Sequence, residues 1–122
     1  MQRLLDKVVL VTGAGSGIGR ACAERAAAEG ASVCCVDIDG EAAAAVVRGI
    51  VDGGGSAIAM ACDISDETVV QESIADCVAQ LGGLDALVNM AGILRFDDTE
   101  QISLANWQRV LDINLTGTLL LN

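Results

Sequence analysis

The sequence predicts an α/β fold with a doubly wound parallel sheet. Short apolar runs of the β type alternate with longer runs of helical periodicity, a pattern typical of βαβ units. Glycines separate most of these runs, and a length of 122 residues with 52% apolar content suits one domain. We therefore expect residues 1–122 to form a single α/β domain.

The first strand and the first helix lie on either side of a glycine-rich stretch. Val and Leu residues predict a strand over Lys7–Thr12, which the following glycines end. The pattern over Ile18–Glu29 predicts a helix, with Gly30 as its C-terminal cap. One face of this helix is predicted to contain Ile18, Cys22 and Ala26.

The second unit and the third strand repeat this alternation. Ser32–Asp37 is apolar on both faces, as expected for a covered parallel strand. Asp39 is positioned to cap the alanine-rich helix Gly40–Asp52, which three glycines end. Ser56–Cys62 is predicted to be the third strand.

A third helix follows Ser65 and runs through Leu81, before the fourth strand at Leu84–Asn89. Asp66 and Glu67 are predicted in its first turn, where they suit the helix dipole. The predicted apolar face consists of Val70, Ile74, Cys77, Val78 and Leu81.

The last predicted helix begins at Leu104, with Ser103 as its N-cap. Its apolar stripe begins with Trp107, which we expect to be a core aromatic and not a platform for a substrate, and continues through Val110, Leu111, Leu115 and Leu119. The stretch ends at Asn122, directly after three leucines. Because the last carbonyls of a helix need partners, we expect this chain to be a segment of a longer one, interrupted within this helix.

The composition argues against several functional classes. Seven Lys and Arg against 17 Asp and Glu give a formal net charge of −10, which disfavours nucleic acid and membrane surfaces as partners. His and Tyr are absent, so we expect no His-ligated metal and no acid–base chemistry by these residue types. Five cysteines without CxxC spacing are expected to be small buried residues of a cytoplasmic protein.

The strongest functional signal is the glycine-rich stretch between the first strand and the first helix. It reads Thr12-Gly13-Ala14-Gly15-Ser16-Gly17-Ile18-Gly19. At such a position, free backbone amides and the helix dipole can hold a phosphate group, and glycine permits its close approach. The spacing is TGxxxGxG and differs from GxGxxG. The alternative is a tight turn that binds no ligand.

Three further motifs follow this loop in the order of one known family. Asn89-Met90-Ala91-Gly92 follows the fourth strand, Asp63 follows the third, and Asn114 lies in a DINLTG segment. Together with TGxxxGxG, these motifs resemble the compact form of the short-chain dehydrogenase/reductase family over the whole chain. Met90 departs from the family pattern, which has a second Asn there. The resemblance implies the N-terminal part of a Rossmann-type sheet, with strand order 3-2-1-4 and an NAD-binding domain over residues 1–122.

The resemblance also implies that the glycine loop holds a dinucleotide, through Thr12, Gly13, Gly15, Ser16, Gly17, Ile18 and Gly19. Asp37 ends the second strand, where a carboxylate accepts hydrogen bonds from the adenosine ribose and repels a 2′-phosphate. Neither Ser16 nor Ile38 supplies the basic residue typical of members that use NADP, so NAD is the expected cofactor. The alternative for Asp37 is a solvated loop carboxylate.

Further residues are expected to line the cofactor. By resemblance, Asp63 binds the adenine amino group and Ile64 lines the ring, whereas the alternative for Asp63 is a helix cap. Asn89, Ala91 and Gly92 are expected beyond the first strand, where Asn89 can also tie neighbouring strands together.

Asn114 is the expected catalytic residue. It falls within the apolar stripe of the last helix, three residues after Leu111, and a buried amide requires partners. The resemblance implies that Asn114 lies at a helix distortion, where its carbonyl holds a water of a proton relay. An Asn bonded within the core is the alternative.

The expected function is that of an NAD(H)-dependent oxidoreductase that interconverts a secondary alcohol and a ketone by hydride transfer. The family's catalytic Ser and Tyr-xxx-Lys have no match, since the chain contains no Tyr and its single lysine, Lys7, precedes the first strand. We therefore expect these 122 residues alone to be inactive, and the parent to be a homodimer or homotetramer acting on a small alcohol or ketone. The alternatives are a non-catalytic dinucleotide-binding module and an inert truncated product.

Overall fold

A computed structural model describes residues 2–122. The strands are β1 (Val8–Thr12), β2 (Ser32–Asp37), β3 (Ser56–Ala61) and β4 (Ala86–Asn89). The helices are α1 (Gly17–Ala28), α2 (Gly40–Asp52), α3 (Glu67–Leu81) and α4 (Leu104–Leu111), followed by a π-helical segment (Asp112–Gly117) and α5 (Thr118–Leu121). None of the helices in residues 2–122 is long and apolar enough to cross a membrane.

The four strands form one parallel sheet in the order β3-β2-β1-β4, which confirms the predicted fold class and strand order. β1 lies between β2 and β4, and both pairings are parallel. Because all strands run in one direction, the loops that follow them meet at the same edge of the sheet. The order of the strands reverses between β1 and β4, which is where open parallel sheets bind ligands.

Side chains of β1 and β2 alternate between two apolar layers. One layer joins the sheet to α1 and α2 and includes Val9, Val11, Val33 and Cys35. The other joins it to α3, the π-helical segment and α5 and includes Val8, Leu10, Cys34 and Val36. Four of the five cysteines are buried and all five are free. Burial raises the pKa of the Cys35 thiol to about 11, so this cysteine stays protonated at neutral pH.

Two helices bury residues other than the predicted ones. The buried face of α1 consists of Gly19, Ala23 and Ala26. Ile18 is 73% exposed, and on α3 Ser73 is buried whereas Val78 is exposed. The predictions for Ile18 and Val78 are therefore wrong: α1 packs onto the sheet through small residues, and Val78 lies outside the face that α3 buries through Val70, Ser73 and Cys77.

The predicted helix caps are largely confirmed. Asp39 Oδ1 accepts a hydrogen bond from Ala42 N at 3.1 Å, and Ser103 Oγ accepts one from Asn106 N at 3.1 Å. Asp66, predicted in the first turn of α3, is its N-cap instead.

The last predicted helix is divided into three segments. The π-helical segment contains Asn114, which confirms the helix distortion that the resemblance implies. Within residues 2–122 Trp107 is 54% exposed, so the prediction that it is a core aromatic is wrong. Leu115 and Leu119 are also exposed, and the final helices leave part of their apolar stripe uncovered.

Candidate functional site

A cleft of about 370 Å³ opens at the carboxyl edge of the sheet. It is bordered by the glycine loop after β1 and by residues that follow β2, β3 and β4. Ten of the predicted site residues line it: Gly13, Ser16, Gly17, Ile18, Gly19, Asp37, Ile38, Ile64, Ala91 and Gly92. The fold therefore brings together residues from four separate connections.

The glycine loop contains three positions that have no room for a side chain, one of them Gly15, where a Cβ would lie 2.7 Å from Ala42 Cβ. Gly13 has a φ of +64°, and a Cβ there would lie 2.9 Å from Ala91 N. A Cβ on Gly19 would lie 2.1 Å from the carbonyl oxygen of Gly13. Gly17 shares a positive φ, of +56°, but differs in that a Cβ there would have no other atom within 4 Å. Gly13, Gly15 and Gly19 are thus required by the packing of the loop, whereas Gly17 borders the open cleft.

The N-terminus of α1 lies at this cleft without a side-chain cap. The side chains of Asp39, Asp66 and Ser103 cap α2, α3 and α4, but Ser16 makes no such bond to α1. The first turn of α1 also contains no acidic residue. The first amides and the positive end of the helix dipole are therefore available to an anionic group.

Asp37, at the end of β2, is bonded to the glycine loop. Its Oδ2 accepts a hydrogen bond from Gly15 N at 2.9 Å, and its Oδ1 accepts one from Asp39 N at 3.0 Å. Each carboxylate oxygen has two lone pairs, so acceptor capacity remains for a ligand. Among residues 2–122, Asp37 is the only charged residue that lines the cleft.

Thr12 is fully buried and joins β1 to the loop after β4. Its Oγ1 accepts hydrogen bonds from Met90 N and Ala91 N, both at 3.1 Å. Thr12 does not line the cleft, but it holds Met90 and Ala91, which do. Asn89 precedes them, and its buried Oδ1 accepts no hydrogen bond from the described residues.

Asp63 lies between Cys62 and Ile64, which both line the cleft. Its Oδ1 accepts hydrogen bonds from Ser65 Oγ at 2.6 Å and Ser65 N at 3.0 Å, and its Oδ2 lies 3.4 Å from Arg109 Nη2. The Ser65 hydroxyl, with a smaller effect of Arg109, lowers the pKa of Asp63. The alternative of a helix cap does not hold for Asp63, since Asp66 caps α3.

Asn114 is exposed, so the prediction that it is buried within an apolar stripe is wrong. Its Oδ1 accepts a hydrogen bond from Ile93 N and its Nδ2 donates one to Ile93 O, both at 2.8 Å. The backbone carbonyl of Asn114 accepts a hydrogen bond from Thr118 Oγ1 at 3.0 Å. The π-helical segment turns the amide away from the core and towards the loop after β4.

Four lining residues were not among the predicted site residues: Cys62, Met90, Ile93 and Ile113. Cys62 and Met90 adjoin predicted site residues at the carboxyl ends of their strands, and that position alone could have indicated them. Ile93 lies at the cleft because Asn114 holds it by hydrogen bonds. Ile113 lies there because it belongs to the π-helical segment. No local pattern in the sequence indicates either.

Comparison with known proteins adds sequence and structural relatives. The family model for short chain dehydrogenase matches residues 7–122. D-threitol dehydrogenase from Mycolicibacterium smegmatis is 42% identical over 119 residues, which cover 98% of this chain and 46% of that protein. 3beta-hydroxysteroid dehydrogenase from Mediterraneibacter gnavus is 44% identical over 118 residues, which cover 96% of this chain and 43% of that protein.

Solved structures agree with these relatives. A crystal structure of a short chain dehydrogenase from Mycobacterium avium has a TM-score of 0.95 and 38% sequence identity, and the match covers 99% of this chain and 45% of that one. The chain thus spans about half the length of the curated relatives it matches.

Proposed function

The chain belongs to the short-chain dehydrogenase/reductase family, and from this premise we propose that its cleft binds NAD(H) as the cofactor site of an oxidoreductase. Two relatives are named as dehydrogenases of D-threitol and of a 3beta-hydroxysteroid. The proposed reaction of the whole protein is accordingly the interconversion of a secondary alcohol and a ketone. We place this activity in the cytoplasm.

The observation that carries the proposal is the uncapped N-terminus of α1 beside Gly17. A dinucleotide contains a diphosphate, which needs N–H donors and room for close approach. The glycine loop offers both at the point where the order of the strands reverses. These residues fit the group without a lysine or arginine.

The remaining site residues are assigned to the parts of the cofactor in their order along the cleft. Asp37 would accept hydrogen bonds from the adenosine ribose, and Ile38, Asp63 and Ile64 would surround the adenine. Asn89, Ala91 and Gly92 would lie beyond β1, towards the nicotinamide. Thr12 and Gly15 would act indirectly, through the hydrogen bonds that hold Ala91 and Asp37.

NAD is proposed over NADP because of the charge around Asp37. A 2′-phosphate would meet this carboxylate, and no Lys or Arg among residues 2–122 lines the cleft to offset the repulsion. Ribose hydroxyls, in contrast, can donate to the free lone pairs of the carboxylate.

The residues of this chain would bind and orient the cofactor, and the bound cofactor would supply hydride transfer. The carbonyl oxygen of Asn114 accepts a hydrogen bond from Thr118 Oγ1, and we propose that it also accepts one from a water of the proton relay. The chain has no Tyr, so the group that exchanges a proton with the substrate oxygen would lie outside these 122 residues. Residues 1–122 would then be the NAD-binding domain of a homodimeric or homotetrameric parent.

Substitution of Ser16 by Asp tests the proposed function. An aspartate at this N-cap should stabilise α1 by about 0.5–1 kcal/mol while its charge repels the diphosphate. We therefore expect a higher melting temperature but an NAD affinity at least tenfold lower, on the order of the repulsion between like charges in a binding site. Isothermal titration calorimetry of the 122-residue chain measures the affinity.

The matched control is Ser103→Asp, the same substitution at the cap of α4. It should leave NAD affinity unchanged, because Ser103 does not line the cleft. A wild-type chain that binds no NAD, or a Ser16→Asp variant that binds it as well as wild type, would contradict the proposal.

A further inference from the structure

Arg109 of α4 connects the loop that contains Asp63 to the helix that leads into the π-helical segment. Its Nη2 lies 3.4 Å from Asp63 Oδ2, and its Nη1 donates a hydrogen bond to Ser65 Oγ at 3.2 Å. The Ser65 hydroxyl in turn donates to Asp63 Oδ1 at 2.6 Å. The three side chains therefore form a closed ring around one carboxylate, although Arg109 and Asp63 are 46 residues apart in the sequence.

The carboxylate in this ring still has an oxygen available to a ligand. Ser65 occupies Oδ1 with two hydrogen bonds, whereas Oδ2 has only the long contact with Arg109. The side chain of Asp63 is 37% exposed. Oδ2 is therefore the oxygen with free acceptor capacity beside the cleft.

The same helical region also fixes the next residue of the loop. A Cβ on Gly117 would lie 2.7 Å from Ile64 Cδ1, so the π-helical segment packs directly against this cleft-lining side chain. Arg109 and Gly117 thus hold Asp63 and Ile64 from one continuous helical region.

We propose that Arg109 is a positioning residue that sets the selectivity of the site for the base of the dinucleotide. Held by Arg109 and Ser65, Asp63 Oδ2 accepts a hydrogen bond from an exocyclic amino group and repels a carbonyl oxygen at the same place. Arg109 acts through Asp63 and does not contact the ligand. The inference rests on the proposed function, because it takes the adenine to lie against Asp63 and Ile64.

The test compares NAD with nicotinamide hypoxanthine dinucleotide, in which a carbonyl oxygen replaces the amino group of the base. Calorimetric titration of the full chain should show about a tenfold preference for NAD, the size expected for a hydrogen bond to a charged acceptor. Arg109→Gln should reduce this preference to about twofold, since the freed carboxylate adopts several orientations. Arg109→Lys should retain an intermediate preference, because lysine keeps the charge but not the planar fork that bonds two partners.

Two further variants separate positioning from a general structural role. Arg48→Gln, on the exposed face of α2, should keep the wild-type preference, because Arg48 forms no ion pair within residues 2–122. Asp63→Asn should abolish the preference, and the addition of Arg109→Gln should change the ratio no further. Circular dichroism confirms that each variant is folded.

The outcomes distinguish the inference from the proposed function. An Arg109→Gln variant that weakens both dinucleotides by the same factor would overturn the inference, since Arg109 would then only support the fold. A wild-type chain that binds both dinucleotides equally would also overturn it, and the proposed NAD site would remain. A chain that binds neither would overturn both.

Discussion

Asn114 and Ile93 form a closed pair of hydrogen bonds between a side-chain amide and a backbone. Asn114 Oδ1 accepts from Ile93 N and Asn114 Nδ2 donates to Ile93 O, each at 2.8 Å. Ile93 lines the cleft, so the residue expected to act in catalysis also fixes one wall of the candidate cofactor site. The side chain of Asn114 contributes both hydrogen bonds to this contact, and its backbone carbonyl is the group assigned to the proposed relay.

Asn114→Asp tests this pair by the change of one functional group. The new carboxylate still accepts from Ile93 N, but an oxygen replaces the donor that faces Ile93 O. We expect the free energy of unfolding to fall by about 1–2 kcal/mol, from a lost hydrogen bond and an unfavourable oxygen–oxygen contact. Urea denaturation measures the change. Gln71→Glu, the same amide-to-carboxylate change on the exposed side of α3, should stay within about 0.5 kcal/mol of wild type. Equal stability of all three proteins would show that the pair contributes nothing.

Asp37→Asn separates the charge of Asp37 from its hydrogen bond to Gly15. We expect the wild-type chain to bind NADH more tightly than NADPH by about 1–3 kcal/mol, owing to the repulsion between Asp37 and a 2′-phosphate. The asparagine keeps an acceptor for Gly15 N, so NADH affinity should change little while NADPH affinity rises. Asp37→Ala also loses the bond to the glycine loop and should narrow the difference with some loss of NADH affinity. Fluorescence titrations at equal ionic strength measure the affinities for NADH and NADPH. Equal affinities of the wild-type chain for the two would show that Asp37 does not select between them.

Glu29 predicts a pH dependence of stability. Its side chain is 7% exposed and its Oε1 lies 3.0 Å from Arg3 Nη2, with Arg25 at the same oxygen. The hydrogen bond from Arg3 lowers the pKa of Glu29 from 4.5 to about 2. Because the folded chain has the lower pKa, this stabilisation is present above the pKa of the unfolded chain and is lost as the pH falls to about 2.

Glu29→Gln should accordingly melt at a lower temperature than wild type at neutral pH, and the difference should shrink as the pH falls from 4.5 to about 2. Thermal denaturation followed by circular dichroism measures it. Glu24→Gln, which removes an exposed pair with Arg20, should change the melting temperature little. A constant difference in melting temperature between wild type and Glu29→Gln over this pH range would contradict the lowered pKa of Glu29.

The exposed stripe of the final helices predicts self-association of the chain. Leu119 is 71% exposed and Leu115 is 66% exposed, and β4 is an edge strand of the sheet. Apolar surface of this kind favours association in spite of the net charge of −10. Light scattering after size exclusion at micromolar concentration should detect dimers or larger species, and Leu119→Glu should reduce them. Val51→Glu, at an exposed valine of α2, should leave the amount of these species unchanged. A wild-type chain that is monomeric would refute the expectation of self-association.

Much of the fold is already determined by local signals in the sequence. Apolar runs, glycines and capping side chains act over a few residues, so the strands and the caps at Asp39 and Ser103 can be recognised without their neighbours. The spacing of the glycine loop and of the later motifs then indicates the family and the strand order. These features also place most of the cleft, because the ends of parallel strands meet at one edge.

Only the tertiary structure decided which side chains are buried and which groups meet. Periodicity identifies residues on one helix face, but the distance between that face and the sheet decides burial, and α1 packs through Gly19 and Ala23 while Ile18 is exposed. The bonds of Asn114 to Ile93 and of Arg109 to Asp63 join residues far apart in the chain. Such bonds require donor and acceptor within about 3 Å of each other, and only the docking of whole helices and loops determines that distance.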